Sequence, residues 1–548
     1  MPYVRPSVSA LTGVMGGTIV GNSQASAPWV AVVADGGDQS YGQATTPSFS
    51  AYSTAGPGTA AYTATQQLGS YDIIFALNGG FEGWGSGASG RTKTDLVKTI
   101  KGLGNFPNVK NAHRTPYVFL YFNMESAQNL ASGAGYQLYV NEIRNNNWWL
   151  YESTGGTGTI VPSVASGSGY FNVNYTYAWP VAAGSAPAGS RIVGNNYGTL
   201  SAGQGPAQTA ASYAVSAFLS TTRDARFSAI SLNNVAPNAD GIFLDNIFSY
   251  PNGGGNLVAQ ASWDGIGLQT NNAIGVYPPN VSSLLAYGQK IFFQTYQFLL
   301  SQNNPGQTYL NCGNFGSYCN NVGLGNIHAF TSNAMDNVMH CAIIEAGAGV
   351  QGFGWQSFMT PASIITNIQY GLGWLSSTGL LGFNCRLPAT DGSSTSYFVT
   401  GGVGQTVSTG STLEYQQMRC ILAMTQCLGA YFAASVNGFD YDPLRWYDEY
   451  GDDSLTQVNV KRGWLGQPVG SYVTLSNGIL LRAFQNGCVA FNGWGNGAQT
   501  LTSSQISSAI GHTCKYITGT QQPSLNSGAS FSSQAMADGD GLFLLYLT

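Results

Sequence analysis

Short apolar runs recur along the middle of the chain, and longer stretches with helical spacing of apolar residues lie between them. Continuous apolar runs are typical of parallel strands that are buried on both faces. The pattern predicts strands, in chain order, at Tyr71–Leu77, Tyr117–Phe122, Trp148–Tyr151, Gly241–Asp245, Thr308–Cys312, Asn337–Ile344, Gly379–Asn384 and Ala430–Ala434.

Helices are predicted between most of these strands. In the clearest case, Val281–Gln302, Leu284, Tyr287 and Ile291 recur at helical spacing, and prolines flank the stretch. Helical patterns also cover Thr92–Gly102, Ala207–Ser220, Pro361–Trp374 and Thr412–Gly429. Alternating strands and helices predict the α/β class, and this number of strands favours a closed (β/α)8 TIM barrel over an open sheet.

The regions that flank the predicted barrel have different patterns, so we predict three parts. Residues 1–65 are rich in Ser, Thr, Ala and Gly and predict a short N-terminal β-rich arm or docking segment, which includes Trp29–Val33. Residues 66–455 are the predicted catalytic barrel. Residues 456–548 predict a C-terminal antiparallel β-domain, because the Asn-Gly pairs at 477–478 and 486–487 are hairpin signals between short apolar runs.

The chain is weakly charged: charged residues make up 8%, the net charge is −5 and aromatic residues reach 12%. Aromatic content at low net charge argues against disorder. The 19 Lys and Arg residues are spread along the chain, which argues against nucleic acid as a partner. No signal peptide or membrane-spanning apolar stretch is recognisable. Together with a neutral Gly/Asn-rich surface, this predicts an extracellular or virion-associated protein that does not insert into membranes.

The predicted strand ends carry carboxylates, carboxamides and aromatic residues, and active sites of such barrels lie at the C-terminal ends of the strands. This mixture is typical of sugar sites, where aromatic rings stack on pyranose rings and polar groups bond hydroxyls. Asn384 and Ser435 also stand at strand ends. Candidate substrate-binding residues are Asn78, Glu82, Trp84, Tyr121, Asn123, Glu125, Tyr151, Glu152, Asn246, Asn314, Trp355 and Arg386.

Two strand-end carboxylates are the predicted catalytic pair, because glycosidic cleavage uses two carboxyl groups that flank one bond. Asp245 and Glu345 follow the apolar runs GIFL and CAII, and we expect them to act as nucleophile and general acid/base. For each of them the alternative is a purely structural role, as the N-cap of a helix or as a hydrogen-bond acceptor in a loop. Asp240 precedes the same strand as Asp245 and is predicted to be structural, because the N-terminal face of a barrel serves stability.

Other chemistries find little support in the sequence. It contains no GxSxG elbow, no P-loop, no HExxH and no CxxC pair. We therefore expect no cofactor and no metal, and interpret the acidic stretch Asp448–Asp453 as a solvated loop rather than a calcium site. The pairing of the cysteines stays open, although Cys420 and Cys427 lie in an apolar helical stretch and favour buried free thiols.

Two segments resemble the glycoside-hydrolase-like family numbered fifteen. The first is DGIFLDN at residues 240–246. The second, at residues 465–492, follows the pattern LG-x-P-x-G, NG-[VI], R-x-F-x-NG-x-V-x-x-N and includes Leu465, Pro468, Arg482 and Phe484. The resemblance spans roughly residues 70–495. It implies a barrel with an appended β-domain and a glycosidase-type site that uses the Asp of the fourth strand; the long insertion at about 154–205 and the N-terminal arm depart from it.

The sequence thus favours a retaining glycoside hydrolase that acts on a polysaccharide or surface glycan. The alternative is a non-catalytic carbohydrate-binding or structural component of a phage tail or surface assembly, which would dock on other virion or surface proteins through its N-terminal arm. A phage protein could combine both roles, since receptor-binding proteins often cleave the glycan they bind.

Overall fold

A computed structural model describes residues 26–34, 71–76, 117–123, 126–128, 170–172, 241–245, 310–314, 341–344, 361–362, 365, 368–369, 380–386, 395–396, 405–406, 412–435, 447–451, 460 and 463–547. These residues comprise a parallel barrel, one helix on its outside and an antiparallel C-terminal domain.

Eight parallel strands close into a barrel. In chain order they are β1 (Val30–Ala34), β2 (Ile73–Ala76), β3 (Tyr117–Asn123), β4 (Gly241–Asp245), β5 (Leu310–Asn314), β6 (Cys341–Ile344), β7 (Leu380–Arg386) and β8 (Tyr431–Ser435). Each strand pairs with its neighbours in chain order, and β1 pairs with β8 to close the ring.

The first barrel strand corrects the predicted domain organisation. Val30–Ala34 was assigned to the N-terminal arm, but it pairs with β2 on one side and β8 on the other. The run VAVVA is short and stands in Ser- and Gly-rich surroundings, and its β8 partner lies about 400 residues away in the chain. The local composition therefore did not indicate that this run belongs to the barrel, because its place there depends on pairing with a distant strand.

The predicted third strand, Trp148–Tyr151, lies outside the described residues. Its predicted place in the barrel is wrong, because β3 pairs directly with β4 from Phe119–Gly241 through Asn123–Asp245. With β1 added and this segment removed, Gly241–Asp245 remains the fourth strand and Cys341–Ile344 the sixth. Outside the barrel, residues 126–128 pair with 170–172, and residues 395–396 pair with 405–406.

Helix α1 (Thr412–Leu428) runs between the barrel and the C-terminal domain, within one residue of its predicted bounds. It packs on β8 and on strands of the C-terminal sheet, so nearly all of it from Glu414 to Cys427 is buried. It ends at Gly429, whose φ of 85° is a left-handed conformation that glycine adopts without strain. Of the other predicted helices, Pro361–Trp374 has helical residues where it is described, and the remaining three lie outside the described residues.

The C-terminal domain is an antiparallel sheet with a short helix on it. Its strands are β9 (Val473–Thr474), β10 (Leu480–Ala483), β11 (Gly487–Asn492), β12 (Gln499–Thr502), β13 (Cys514–Tyr516), β14 (Ser533–Met536) and β15 (Asp540–Tyr546). Five of them follow the order β9-β10-β11-β15-β13, and β12 pairs with β14. Both predicted Asn-Gly hairpins are confirmed: one joins β9 to β10 and the other β10 to β11.

A separate apolar core supports this domain. Leu481, Ala490, Leu542 and Leu544 from three adjacent strands pack with Ile506 of helix α2 (Ser503–Ile510). The helix begins with a capping box, in which the Thr502 hydroxyl accepts from the Gln505 backbone and the Gln505 side chain accepts from the Thr502 backbone.

Candidate active site at the carboxyl ends of the barrel strands

The carboxyl ends of all eight strands meet at one end of the barrel, because the strands are parallel. The register aligns Asn123 on β3 with Asp245 on β4, and Arg386 on β7 with Ser435 on β8. Residues from distant parts of the chain are therefore brought to one rim, where such barrels carry their active sites.

Phenylalanine contacts identify which residues belong to the inside of the barrel. Phe75 on β2 and Phe243 on β4 have ring centroids 5.1 Å apart, although β3 lies between their strands. Strands two places apart are separated by about 10 Å, so these rings meet only on the concave side of the sheet. Phe119 on β3 stacks on Phe75 at 5.5 Å and completes the cluster.

Register extends this inward set around the ring. Phe243 aligns with Cys312 and then Cys341, and Cys341 aligns with Leu380. Paired residues share a face and successive residues alternate, so every second residue from these positions belongs to the inner face. On β7 the alternation from Leu380 reaches Asn384, which pairs with Ala433 of β8. Ala433 pairs with Ala31, and Ala31 pairs with Ile73, two residues before Phe75, so the inner face is the same around the whole barrel.

Polar residues hold the last inner-face position on most strands. Every second residue from the apolar set is inward-facing, and the last such residue is polar on β3, β4, β5, β7 and β8; on β7 the one before it is polar as well. These positions are Asn123, Asp245, Asn314, Asn384, Arg386 and Ser435. Strands β1, β2 and β6 end without one. The described inner-face polar positions thus lie on five of the eight strands.

The described inner-face residues below this rim are buried. Phe75, Phe119, Cys312 and Cys341 have no exposed surface, and Phe243 is 2% exposed. Burial and the neighbouring Cys341 thiol raise the pKa of Cys312 well above its ordinary value, so its thiol stays neutral.

Five of the predicted site residues lie in described strands. Tyr121, Asn123, Asp245, Asn314 and Arg386 stand on β3, β4, β5 and β7, and all of them share the inner-face alternation. The other predicted site residues lie outside the described residues: Asn78, Glu82, Trp84, Glu125, Tyr151, Glu152, Asn246, Glu345 and Trp355. Glu345 directly follows Ile344, the last residue of β6.

The acidic stretch after the barrel is not a solvated loop where it is described. Asp448 and Glu449 are 1% and 3% exposed and form a 3-10 turn with Tyr450. The Asp448 carboxylate accepts from the Gln521 backbone at 2.9 Å, and Glu449 accepts from Asn526 at 3.2 Å. The prediction failed because an acidic run in sequence does not reveal that a domain folds over it. No cluster of three His, Cys, Asp or Glu side chains suited to a metal occurs among the described residues.

Sequence reasoning missed the common face of the rim residues and the contacts of Gln426 and Arg482 described below. The alternation was visible within each run, as in GIFLD, but only register relates one strand to the next.

No described helix is long and apolar enough to cross a membrane.

No protein-family model and no curated protein sequence matches the chain. The resemblance to family fifteen therefore stays a prediction.

Several solved structures of glycoside hydrolases match at low similarity. The catalytic domain of GH30 xylanase C from Talaromyces cellulolyticus is 10% identical with a TM-score of 0.36, covering 96% of this chain and 98% of that one. A Cellulomonas fimi endo-β-1,4-mannanase double mutant is 10% identical with a TM-score of 0.33, covering 98% and 91%. GH36 α-galactosidase AgaB from Geobacillus stearothermophilus is 10% identical with a TM-score of 0.31, covering 89% and 52%.

The chain thus spans about half the length of that α-galactosidase. TM-scores in this range do not establish a common fold, so the function is argued from the residues of this chain.

Proposed function

We propose that this protein is a glycoside hydrolase that cleaves a polysaccharide or surface glycan at the rim of a (β/α)8 barrel. The observation that carries the proposal is the inner-face position of Asp245 at the carboxyl end of β4, in register with Asn123 and above buried apolar residues of the barrel. Carboxamides at neighbouring strand ends supply the hydrogen-bonding groups that sugar hydroxyls require.

Asp245 acts as the nucleophile and Glu345 as the general acid/base. Strands β4 and β6 are separated only by β5, and Glu345 directly follows β6 in the sequence. This spacing favours two carboxyl groups facing one cleft. Glu345 protonates the glycosidic oxygen while Asp245 attacks the anomeric carbon, and water then releases the sugar with Glu345 as base. Retention requires the carboxyl groups to lie about 5–5.5 Å apart.

The other rim residues bind the substrate in this proposal. Asn123 and Asn314 stand on the strands adjacent to that of Asp245, and in this proposal they bond hydroxyls of the sugar that reacts. Arg386 is the cationic member of the described rim, and it would bind hydroxyls or an acidic substituent. The predicted residues in the connecting segments, such as Trp84 and Trp355, would form the outer part of the cleft.

The test is release of new reducing ends from a panel of bacterial polysaccharides by the wild-type chain and by Asp245→Asn. We expect at least a roughly thousandfold loss of activity in Asp245→Asn, because a nucleophile that acts in the transition state is removed. Asp240→Asn is the matched control, since it alters the other end of the same strand motif and should leave activity near wild type. Full activity in Asp245→Asn would refute the assignment.

The second candidate is a non-catalytic carbohydrate-binding or structural component of a phage tail or surface assembly. The neutral, Gly-rich composition favours it, with 8% charged residues and 73 glycines. Binding to a glycan array without release of reducing ends, unchanged in Asp245→Asn, would support this role. Recovery of the chain from purified virions would test the proposed extracellular or virion-associated location.

A further inference from the structure

The seam where the barrel closes has the shortest pairing among its described strands. Only Val30–Phe432 and Ala31–Ala433 are paired between β1 and β8. By contrast, five residue pairs join β7 to β8, from Tyr431–Gly382 to Ser435–Arg386. A short parallel seam between chain segments about 400 residues apart is the natural place for a barrel to open.

Gln426, in the last turn of α1, reinforces this seam. Its Oε1 accepts a hydrogen bond from the Trp29 backbone N–H at 2.8 Å, and its Nε2 donates to the Trp29 carbonyl at 3.1 Å. The Phe432 N–H donates to the same carbonyl at 3.1 Å. Because Gln426 and Trp29 are both fully buried, the side-chain amide acts as one more rung of the ladder between β1 and β8.

Arg482 of the C-terminal domain holds the end of α1 in turn. Its Nη1 donates to the carbonyls of Gln426 and Cys427 at 2.8 and 3.2 Å. These carbonyls lie in the last turn of a helix, where intrahelical partners are lacking. The guanidinium carbon also lies 5.9 Å from the centre of the Trp29 ring and 5.6 Å from that of Phe484, within the range of cation–π attraction.

The backbone of the C-terminal domain also forms hydrogen bonds with the segment that precedes β1. The Ala27 N–H donates to the Gly466 carbonyl at 2.9 Å, and the Leu465 N–H donates to the Ala27 carbonyl at 3.0 Å. The Trp29 and Phe484 rings meet edge to face at 5.9 Å. The residues that lead into β1 are thus bound by the C-terminal domain on one side and by α1 on the other.

We propose that the C-terminal domain is a clasp for the barrel, whose surface around Leu465–Gly466 and Arg482 binds the segment Ala27–Trp29 and keeps β1 paired with β8. The binding partner of this surface is the chain's own N-terminal segment. The domain is therefore an integral part of the barrel rather than a detachable module, and opening the clasp frees β1.

Hydrogen exchange of the full chain, followed by mass spectrometry, tests this proposal. The variant Gln426→Leu removes both bonds to Trp29. The matched control is Gln416→Leu, on the same helix, whose amide donates to the Asp538 and Gly539 carbonyls away from the seam. Exchange in peptides that cover residues 26–34 and 431–435 should rise roughly tenfold or more in Gln426→Leu, because buried backbone groups lose their partners and the seam opens locally.

In Gln416→Leu these two peptides should exchange as in the wild type. Arg482→Lys should increase seam exchange by less than Gln426→Leu, since a lysine keeps the charge but not the forked contact. Unchanged seam exchange in Gln426→Leu, or an equal rise in both glutamine variants, would overturn the clasp.

The wild-type chain provides a further measurement, in case Gln426→Leu does not fold. Under increasing urea, the peptide of residues 26–34 should lose protection together with that of residues 463–485, because clasp and seam open as one unit. Loss of protection at residues 26–34 while the C-terminal domain stays protected would contradict the proposal.

Discussion

The rim of the barrel and the interface beneath the C-terminal domain are built from the same residue types but lie in different places in the fold. At the interface, Asp540 pairs with Arg419 at 2.8 Å, and Asp448 and Glu449 accept from Asn526. At the rim, Asp245 stands at a strand end in register with Asn123. The interface carboxylates make contacts within the chain, whereas Asp245 stands at the end of the barrel where such barrels bind their substrates.

This difference shows that the scarcity of acidic residues does not by itself identify catalytic ones. Asp72 makes the same point within the barrel. It has no exposed surface, and its carboxylate accepts from the Val30 backbone at 2.8 Å, which anchors β1 to the start of β2. Position at the carboxyl end of a strand, on the inner face, separates Asp245 from these structural acids.

The largest stability effect should come from the buried ion pair of the interface. Replacing Arg419 with Met leaves Asp540, whose side chain is 13% exposed, without its ion-pair partner and also removes the Nε donation to the Gly541 carbonyl. Breaking a buried pair from one side costs about 3–5 kcal/mol. Urea unfolding followed by tryptophan fluorescence should show this loss, while reducing-end release per folded molecule should stay near wild type.

A loss of activity in Arg419→Met that exceeds the loss of folded protein would contradict the assignment of the interface to stability and of the rim to catalysis. Gln369→Leu, at an exposed hydrogen bond to Tyr472, is a suitable comparison and should change stability little.

A smaller loss is expected from Gly519→Ala. A Cβ added at Gly519 would overlap the Asp448 carboxylate, so the turn that covers this acid must shift. Overpacking of this kind typically costs about 1–3 kcal/mol. Thermal unfolding should show a lower midpoint for Gly519→Ala than for Thr520→Ala, a control at the neighbouring exposed position. Equal midpoints would mean that the turn accommodates the added methyl group without loss of stability.

The extent of sequence prediction follows the range of the interactions involved. Gly241–Asp245 was predicted residue for residue, because a buried parallel strand carries an apolar run that needs no partner to be recognised. The Asn-Gly hairpins were equally local. Val30–Ala34 was misplaced and the buried state of Asp448 was missed, because β8 and Asn526, which decide them, lie far away in the chain. The shared face of Asp245, Asn314 and Arg386 likewise needed inter-strand register.

The smallest effect concerns pH. Burial raises the pKa of Glu449, and the Asp448 carboxylate raises it further, against the opposing effect of Arg419. Since the folded-state pKa lies above the unfolded one, the stability contributed by this group is fully present below the unfolded pKa and falls as pH rises through the folded pKa. Glu449→Gln should flatten the pH dependence of the unfolding midpoint above about pH 4. A steeper dependence in the variant would contradict this sign.

The catalytic role of Asp245 is tested most directly by trapping its glycosyl ester. Glu345→Gln removes both the acid that protonates the leaving oxygen and the base that activates water. A glycosyl fluoride of the sugar that the wild type releases needs no proton on its leaving group, so it should form the covalent intermediate, which then accumulates because water is not activated. Acid quenching, peptic digestion and mass spectrometry should then find one glycosyl residue or oligosaccharide added to the peptide that contains Asp245. A glycosyl group on another carboxylate, or Asp245→Asn that still cleaves the glycan at the wild-type rate, would contradict the proposed mechanism.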